Sequence, residues 1–152
     1  MAPKFGLQSV LDFRHSRVEA LELDFSKLHE AFQQGMRMQV ECHQNLDGIY
    51  IRLQQEQNGD MDLFAIQHLR QDALAFKKQL DQIGEALAML EGRIEEKRKE
   101  IVAARQAEET LNTLKNKESE RWHAEQVVIE GKQQDNVYIA QAFRRSNRSV
   151  DV

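Results

Sequence analysis

The chain has 152 residues, a formal net charge of -4, 30% charged residues and one Pro. A mean hydropathy of -0.66 and an excess of helix-forming residues argue against a compact, sheet-containing domain and predict one all-α domain over 1–152. The acidic balance argues against a nucleic-acid partner, and the single cysteine, Cys42, cannot form an internal disulfide, which favours a reducing cytoplasmic compartment.

The first residues lack the apolar core of a signal peptide. No stretch approaches the ~18 apolar residues of a membrane span, so we expect no transmembrane segment. The sequence therefore predicts a protein that is soluble or at most peripheral to a membrane.

The first amphipathic segment is predicted to be a helix from about residue 7 to about 56, and it carries a heptad repeat. Its a positions are Leu11, Val18, Phe25, Phe32, Gln39, Leu46 and Leu53, and its d positions are Arg14, Leu21, Leu28, Gly35, Cys42, Ile49 and Glu56. Most of these residues are apolar, which is typical of a coiled-coil seam. Gly35 and Gln39 weaken the middle of the seam, and either local repacking or a flexible point could follow.

A turn is predicted over residues 57–61, where Gln57-Asn58-Gly59-Asp60 gives the strongest turn signal after residue 7. Asn58 and Gly59 tolerate positive φ and can end the first helix. Asp60 or Asp62 can then cap the second helix by accepting hydrogen bonds from its first N–H groups.

The second segment is predicted to be a helix from about 62 to about 145. Its seam positions are Ile66, Leu69, Ala73, Phe76, Leu80, Ile83, Leu87, Leu90, Ile94, Lys97, Ile101 and Ala104. Because neither helix can bury its apolar stripe alone, the short turn predicts a long antiparallel two-helix coiled-coil hairpin. Residue i should face roughly residue 117 minus i, which places Leu11 near Ala104 to Ala107 and Leu53 near Phe64.

The second helix is predicted to outlast the first, giving a stalk-like shape with an overhang after about residue 110. In the overhang the seam positions become half polar, and a few large anchors remain: Trp122, Ile129, Tyr138 and Phe143. We expect the overhang, including Trp122, to have no partner within the chain, and residues 146–152 to be frayed.

No residue pattern indicates catalysis, a cofactor or a bound metal. His15, His29 and His43 share a helix face, but the 14-residue spacing separates neighbours by ~21 Å, too far for one metal ion. The sequence contains no phosphate-binding loop and no zinc spacing, so we expect no enzyme activity. The basic residues Arg144, Arg145 and Arg148 are interpreted either as complements to the helix dipole or as contacts to an acidic surface.

Both ends of the chain resemble the flagellar type III export stalk protein family, FliJ. At the start the similarity is carried by Phe5 to Arg14 (Phe-Gly-Leu-Gln-Ser-Val-Leu-Asp-Phe-Arg). At the end it is carried by Glu130-Gly-Lys132-Gln-Gln-Asp135-Asn136, followed by Ala140 and Arg144-Arg145. Asn136 departs from the family, which usually has Glu there. With a hairpin of matching length, the resemblance covers essentially the whole chain.

The resemblance implies a stalk that links the hexameric flagellar export ATPase to the cytoplasmic domain of the export gate at the inner face of the cell membrane, and that assists export chaperones. Its candidate ATPase-ring contacts are Leu11, Arg14, Arg17, Trp122, Lys132, Asp135, Arg144 and Arg145. Its candidate gate contacts are Leu46, Tyr50, Phe64 and Phe76. The alternatives are the stalk of a virulence type III secretion system and a general coiled-coil scaffold or adaptor that homodimerises through its free helix.

Overall fold

A computed structural model describes residues 2–60 and 62–150, apart from the side chain of Val150. It contains two helices, α1 (Gln8–Asn58) and α2 (Leu63–Val150). The helices pack against each other as a helical hairpin, and the described residues contain no strand. The predicted all-α hairpin is therefore confirmed.

The chain divides into two compact units. One unit comprises Met1–His15 together with Arg105–Val152, and the other comprises Ser16–Ala104. Each unit contains a part of α1 and a part of α2. Neither helix, over its described residues, contains a stretch long and apolar enough to cross a membrane.

The core of the Ser16–Ala104 unit is the predicted heptad seam. None of the predicted a and d positions between Val18 and Ala104 is exposed. Leu46, Ile49 and Ala73 form a buried cluster, and further seam side chains pack against it: Leu53, Leu69, Phe76 and Leu80. Burial of apolar side chains along one stripe of each helix is the main force that holds such a pair together.

The pairing of the two helices differs from the prediction by about one helical turn. Asp24 lies 4.0 Å from Lys97, and Gly35 faces Leu87, so each α1 residue meets α2 about four residues later than expected. Leu53 packs on the cluster described above and Phe64 is exposed, so their predicted pairing is wrong. The reason is that α1 continues to Asn58, which moves the centre of the reversal towards residue 60.

The reversal is stabilised by an N-cap at Asp62. The Asp62 carboxylate accepts hydrogen bonds from the backbone N–H groups of Phe64 at 3.1 Å and Ala65 at 3.4 Å. Its backbone carbonyl accepts from the Ile66 N–H at 3.0 Å, which starts the regular helical ladder. The expected positive φ at Asn58 or Gly59 is not adopted, because no described residue has a positive φ. Met61, within the predicted turn, lies outside the described residues.

The C-terminal end of α2 extends further than predicted. Residues 146–150 are helical rather than frayed, while residues 151 and 152 lie outside the described residues. No Pro or Gly follows Gly131, so the sequence offers no residue that would terminate the helix. The Ser149 hydroxyl also donates to the Ser146 carbonyl at 2.7 Å, which satisfies one acceptor of the last turns.

Two small residues shape the middle of the Ser16–Ala104 unit. A Cβ atom at Gly35 would lie 2.7 Å from Leu87 Cδ2, so the absence of a side chain lets the leucine approach the α1 backbone. Cys42 is buried, and its thiol donates to the Phe76 carbonyl across 3.5 Å. Gly35 and Cys42 thus act as packing residues at the d positions that the heptad assigned to them.

Candidate functional site

The unit formed by Met1–His15 and Arg105–Val152 contains the start of α1 and most of the candidate ring contacts. Leu11 and Leu111 are its buried apolar residues. The Arg14 guanidinium donates from Nη1 to the Ala107 carbonyl at 2.7 Å. His15 Nδ1 lies 2.6 Å from Glu108 Oε1. These contacts fix the beginning of α1 on α2, and they make Leu11 and Arg14 part of the packing.

The residues that precede α1 are not helical and lie beside α2. Residues 2–5 line a groove of ≈ 190 Å³ together with Lys115, Glu118, Ser119 and Trp122 of α2. Phe5 and Trp122 are both half-buried, and the indole packs edge-on against the His123 ring with centroids 5.0 Å apart.

The expectation that Trp122 has no partner within the chain is therefore wrong. The heptad register applies only to helical residues and ends near residue 8, so it made no prediction for residues 2–5. These residues are not helical. An extended chain advances ~3.3 Å per residue against ~1.5 Å in a helix, so four extended residues are long enough to reach along two turns of α2.

After Trp122, α2 carries no buried side chain up to residue 149. We call residues 123–149 the bare segment. Gln126 and Gly131 are half-buried, and all its other residues are exposed. Helices that are not buried normally carry apolar residues on one stripe at most.

The bare segment nevertheless exposes two runs of three consecutive apolar residues. The first collar is Val127, Val128 and Ile129, with side chains 46% to 67% exposed. The second collar is Val137, Tyr138 and Ile139, with side chains 57% to 73% exposed. Successive residues of an α-helix point ~100° apart, so each collar presents apolar surface on at least three directions around the helix.

The collars were only partly recognised from the sequence. Ile129 and Phe143 were singled out on the seam register and Tyr138 as a large anchor beside it, and all three are exposed. The seam register did not single out Val127, Val128 or Val137, because they lie off the a and d positions. The available signal was the occurrence of three apolar residues in succession within a helix whose seam had become polar.

The charged candidates of the bare segment are all solvent-exposed. Lys132 and Asp135 lie between the two collars, and Arg144 and Arg145 follow the second. Residues 136–149 contain three Arg and no Asp or Glu, so this end of the helix is uniformly basic. Arg17, which belongs to the Ser16–Ala104 unit, is also exposed.

The four candidate gate residues separate into core and surface. Leu46 is buried and Phe76 packs against the Leu46 cluster, so both hold the hairpin together. Tyr50 is exposed at one edge, where the Lys77 ammonium lies 5.6 Å from its ring centroid. Phe64, in the first turn of α2, is 85% exposed. Tyr50 and Phe64 are thus the candidates whose side chains a partner can reach.

Among the described residues, no group of three or more His, Cys, Asp or Glu side chains is placed to hold a metal ion. His15 pairs with Glu108, and His29 stacks on Phe25 with ring centroids 6.2 Å apart. Exposed apolar and aromatic side chains lie on the bare segment and, near the reversal, at Tyr50 and Phe64.

A family model described as the flagellar FliJ protein matches residues 3–148 of the 152-residue chain. No curated protein and no solved structure is significantly similar to this chain. The family match spans both units and includes Trp122, residues 123–148 of the bare segment and the reversal. With nearly the whole chain covered, this protein belongs to the flagellar FliJ protein family.

Proposed function

We propose that this chain is the coiled-coil stalk that links the hexameric flagellar export ATPase ring to the cytoplasmic domain of the export gate. Membership of the FliJ family gives this chain a role in flagellar export. The proposal comprises the contacts of this chain with the ATPase ring and with the export gate, and the absence of catalytic activity in the chain itself.

The observation that carries the proposal is the pair of apolar collars on the bare segment. A groove or a single partner helix covers one stripe of a helix and would leave part of each collar in water. A partner that surrounds the helix covers all three directions at once. The centres of the collars, Val128 and Tyr138, are separated by ten residues or ~15 Å, so a pore of that depth would bury both. The central opening of a hexameric ring is such a partner.

The charges of the bare segment support the same partner. Arg144, Arg145 and Arg148 lie within residues 136–149, which contain no Asp or Glu. Such a basic end suits a ring entrance lined with acidic side chains, because complementary charge raises the rate of association and fixes its orientation. Lys132 and Asp135 lie between the collars, where they can form ion pairs with the wall of the pore.

The gate contact is proposed for Tyr50 and Phe64 in the Ser16–Ala104 unit. An aromatic side chain that is 85% exposed is a strong anchor for a protein partner, since aromatic residues dominate the energetics of interfaces. Assistance to export chaperones and peripheral association with the inner face of the cell membrane complete the proposal, and their support is the family resemblance.

The ring contact is tested by placing one charge at a time on each direction of a collar. Val127→Asp, Val128→Asp and Ile129→Asp are compared with Gln134→Asp, an exposed position between the collars. The measurement is binding to the purified export ATPase hexamer and stimulation of its ATP hydrolysis. A surrounding partner predicts that all three collar variants bind at least ~10-fold more weakly, because each buries an unpaired carboxylate. Gln134→Asp should change binding by much less.

If only one collar variant lost binding to the ATPase, the partner would lie on one side of the helix, as in a homodimeric scaffold. That result would contradict the proposed stalk function. Sedimentation of the chain alone separates these cases further, since a scaffold that pairs through the bare segment would be dimeric. Equal binding by a virulence-type ATPase would indicate that the stalk serves that system instead.

The gate contact is tested with Phe64→Ala and Tyr50→Ala against the isolated cytoplasmic domain of the gate protein. Met89→Ala is the matched control, because Met89 is an apolar side chain of the same unit that is 62% exposed. Weaker gate binding by the two aromatic variants, with unchanged binding to the ATPase, is expected. Equal effects of all three variants would contradict the assignment.

A further inference from the structure

Residues 2–5 line one groove with Lys115, Glu118, Ser119 and Trp122 of α2, and Trp122 lies five residues before the first collar of the bare segment. We propose that residues 2–5 form a strap that covers Trp122 in the free chain and is displaced when the ATPase ring binds. This inference rests on the proposed function, because it assigns a regulation to the same binding surface. The kind of partner is unchanged, namely a ring that surrounds α2.

The strap is directed onto Trp122 by the way α1 begins. The Gln8 N–H donates to the Phe5 carbonyl at 3.1 Å, and the Leu11 N–H donates to the Leu7 carbonyl at 2.9 Å. These bonds set the direction of the chain that precedes the helix. Since α1 lies against α2 at Arg14 and Ala107, the preceding residues continue along α2 towards its C-terminal end.

The length of the strap matches the distance that it has to cover. Four extended residues span ~13 Å, and the α2 residues that line the groove, from Lys115 to Trp122, span ~11 Å. An extended strap of four residues is therefore long enough to reach from Lys115 to the level of Trp122. A shorter segment would leave the indole uncovered.

The strap is also held weakly enough to be displaced. Residues 2–5 are outside regular secondary structure, and three of the four are exposed. Phe5 is half-buried and lines the same groove as Trp122. Removal of the strap therefore breaks few contacts, while it exposes one of the largest apolar side chains on the surface of α2.

A strap of this kind lowers the apparent affinity for the ring. Only the fraction of molecules with the strap open presents Trp122 for binding, and the apparent dissociation constant rises in inverse proportion to that fraction. Loss of the strap contact should consequently tighten binding. Loss of an ordinary interface residue would weaken it.

The closed strap is tested first in the free chain, with Trp122 as the only tryptophan. Phe5→Ala should shift the fluorescence emission to longer wavelength and increase quenching by acrylamide, because water then reaches the indole. Phe5→Leu should keep most of the native signal, and Leu7→Ala is the control, since Leu7 is exposed and does not line the groove. All variants are measured in the same buffer, and circular dichroism verifies that helicity is retained. Native fluorescence in Phe5→Ala would overturn the strap.

The role of the strap is tested by titrating the same variants with the ATPase hexamer. Phe5→Ala should bind about 5-fold more tightly than the native chain, with Phe5→Leu and Leu7→Ala close to native. Weaker or unchanged binding by Phe5→Ala, with a native chain that binds normally, overturns the strap and leaves the proposed function standing. Failure of the native chain and of every variant to bind overturns the proposed function and the role of the strap with it.

Discussion

The Nη1 atom of Arg14 donates a hydrogen bond to the carbonyl oxygen of Ala107 across 2.7 Å. Arg14 occupies a d position of α1, which faces the core, and the bond gives its charged side chain a partner on the backbone of α2. A charged donor in a half-buried site makes a stronger bond than a neutral one. The packing at the start of α1 therefore depends on a polar contact as well as on Leu11 and Leu111.

Arg14→Ala should lower the free energy of unfolding by about 1–2 kcal/mol, since it removes a charged hydrogen bond and leaves a carbonyl with less solvation. The measurement is urea unfolding followed by far-UV circular dichroism. Arg17→Ala is the control, and at this exposed position we expect a change within ~0.5 kcal/mol. Similar losses in the two variants would show that the Arg14 contact adds no stability.

Leu87→Ala should cost ~2–5 kcal/mol, because Leu87 is buried in the seam opposite Gly35 and its removal leaves a cavity. Leu28→Ala should cost less, since Leu28 is only half-buried. Leu74→Ala removes the same side chain from a position that is 66% exposed, and should change stability by no more than ~0.5 kcal/mol. Denaturant unfolding of the three variants checks this order, and a reversed order would refute the seam register.

Gly48→Ala should raise the free energy of unfolding by ~0.5–1 kcal/mol, because alanine favours the helix and nothing lies within 4 Å of the new Cβ. Gly35→Ala should raise the free energy of unfolding by less or not at all, because the new Cβ would meet Leu87 Cδ2 at 2.7 Å. A double-mutant cycle measures the difference: combined with Leu87→Ala, the Gly35→Ala change should recover the gain seen at Gly48. Equal gains at Gly35 and Gly48 in the native background would argue against the close approach.

Asp62→Ala should lower stability by about 1 kcal/mol, because it removes the N-cap of α2 and leaves the N–H groups of Phe64 and Ala65 without their acceptor. Asp60→Ala is the matched control two residues earlier, and should have little effect. Thermal unfolding of both variants provides the measurement. If Asp60→Ala proved the more costly change, the cap would have been assigned to the wrong residue.

The seam was predictable from the sequence because apolar residues at a and d positions have one way to leave water, which is to face a second stripe. The pairing of the helices was less predictable. Each residue added to the end of α1 moves the reversal, so a turn assigned at Asn58 rather than near residue 60 displaced every pair by about one turn.

The candidate site was predicted less completely, for two physical reasons. The packing of Trp122 depends on residues 2–5, which follow neither helical nor strand periodicity and so leave no repeating signal. The collars escaped the heptad because a seam register considers one side of a helix, whereas Val127, Val128 and Val137 lie on the others. Arg14 was chosen for its charge, and nothing in its sequence neighbourhood indicated an acceptor on Ala107.

The burial of Cys42 has a practical consequence. Its thiol is the only one in the chain, it lies within the seam, and it donates to the Phe76 carbonyl, so a thiol-reactive reagent can reach it only when α1 and α2 separate there. The rate at which Cys42 is modified therefore reports how often the two helices open locally, and it can be measured in the native chain without an added label. Comparing that rate before and after a partner is added would tell whether the hairpin stays closed while it works.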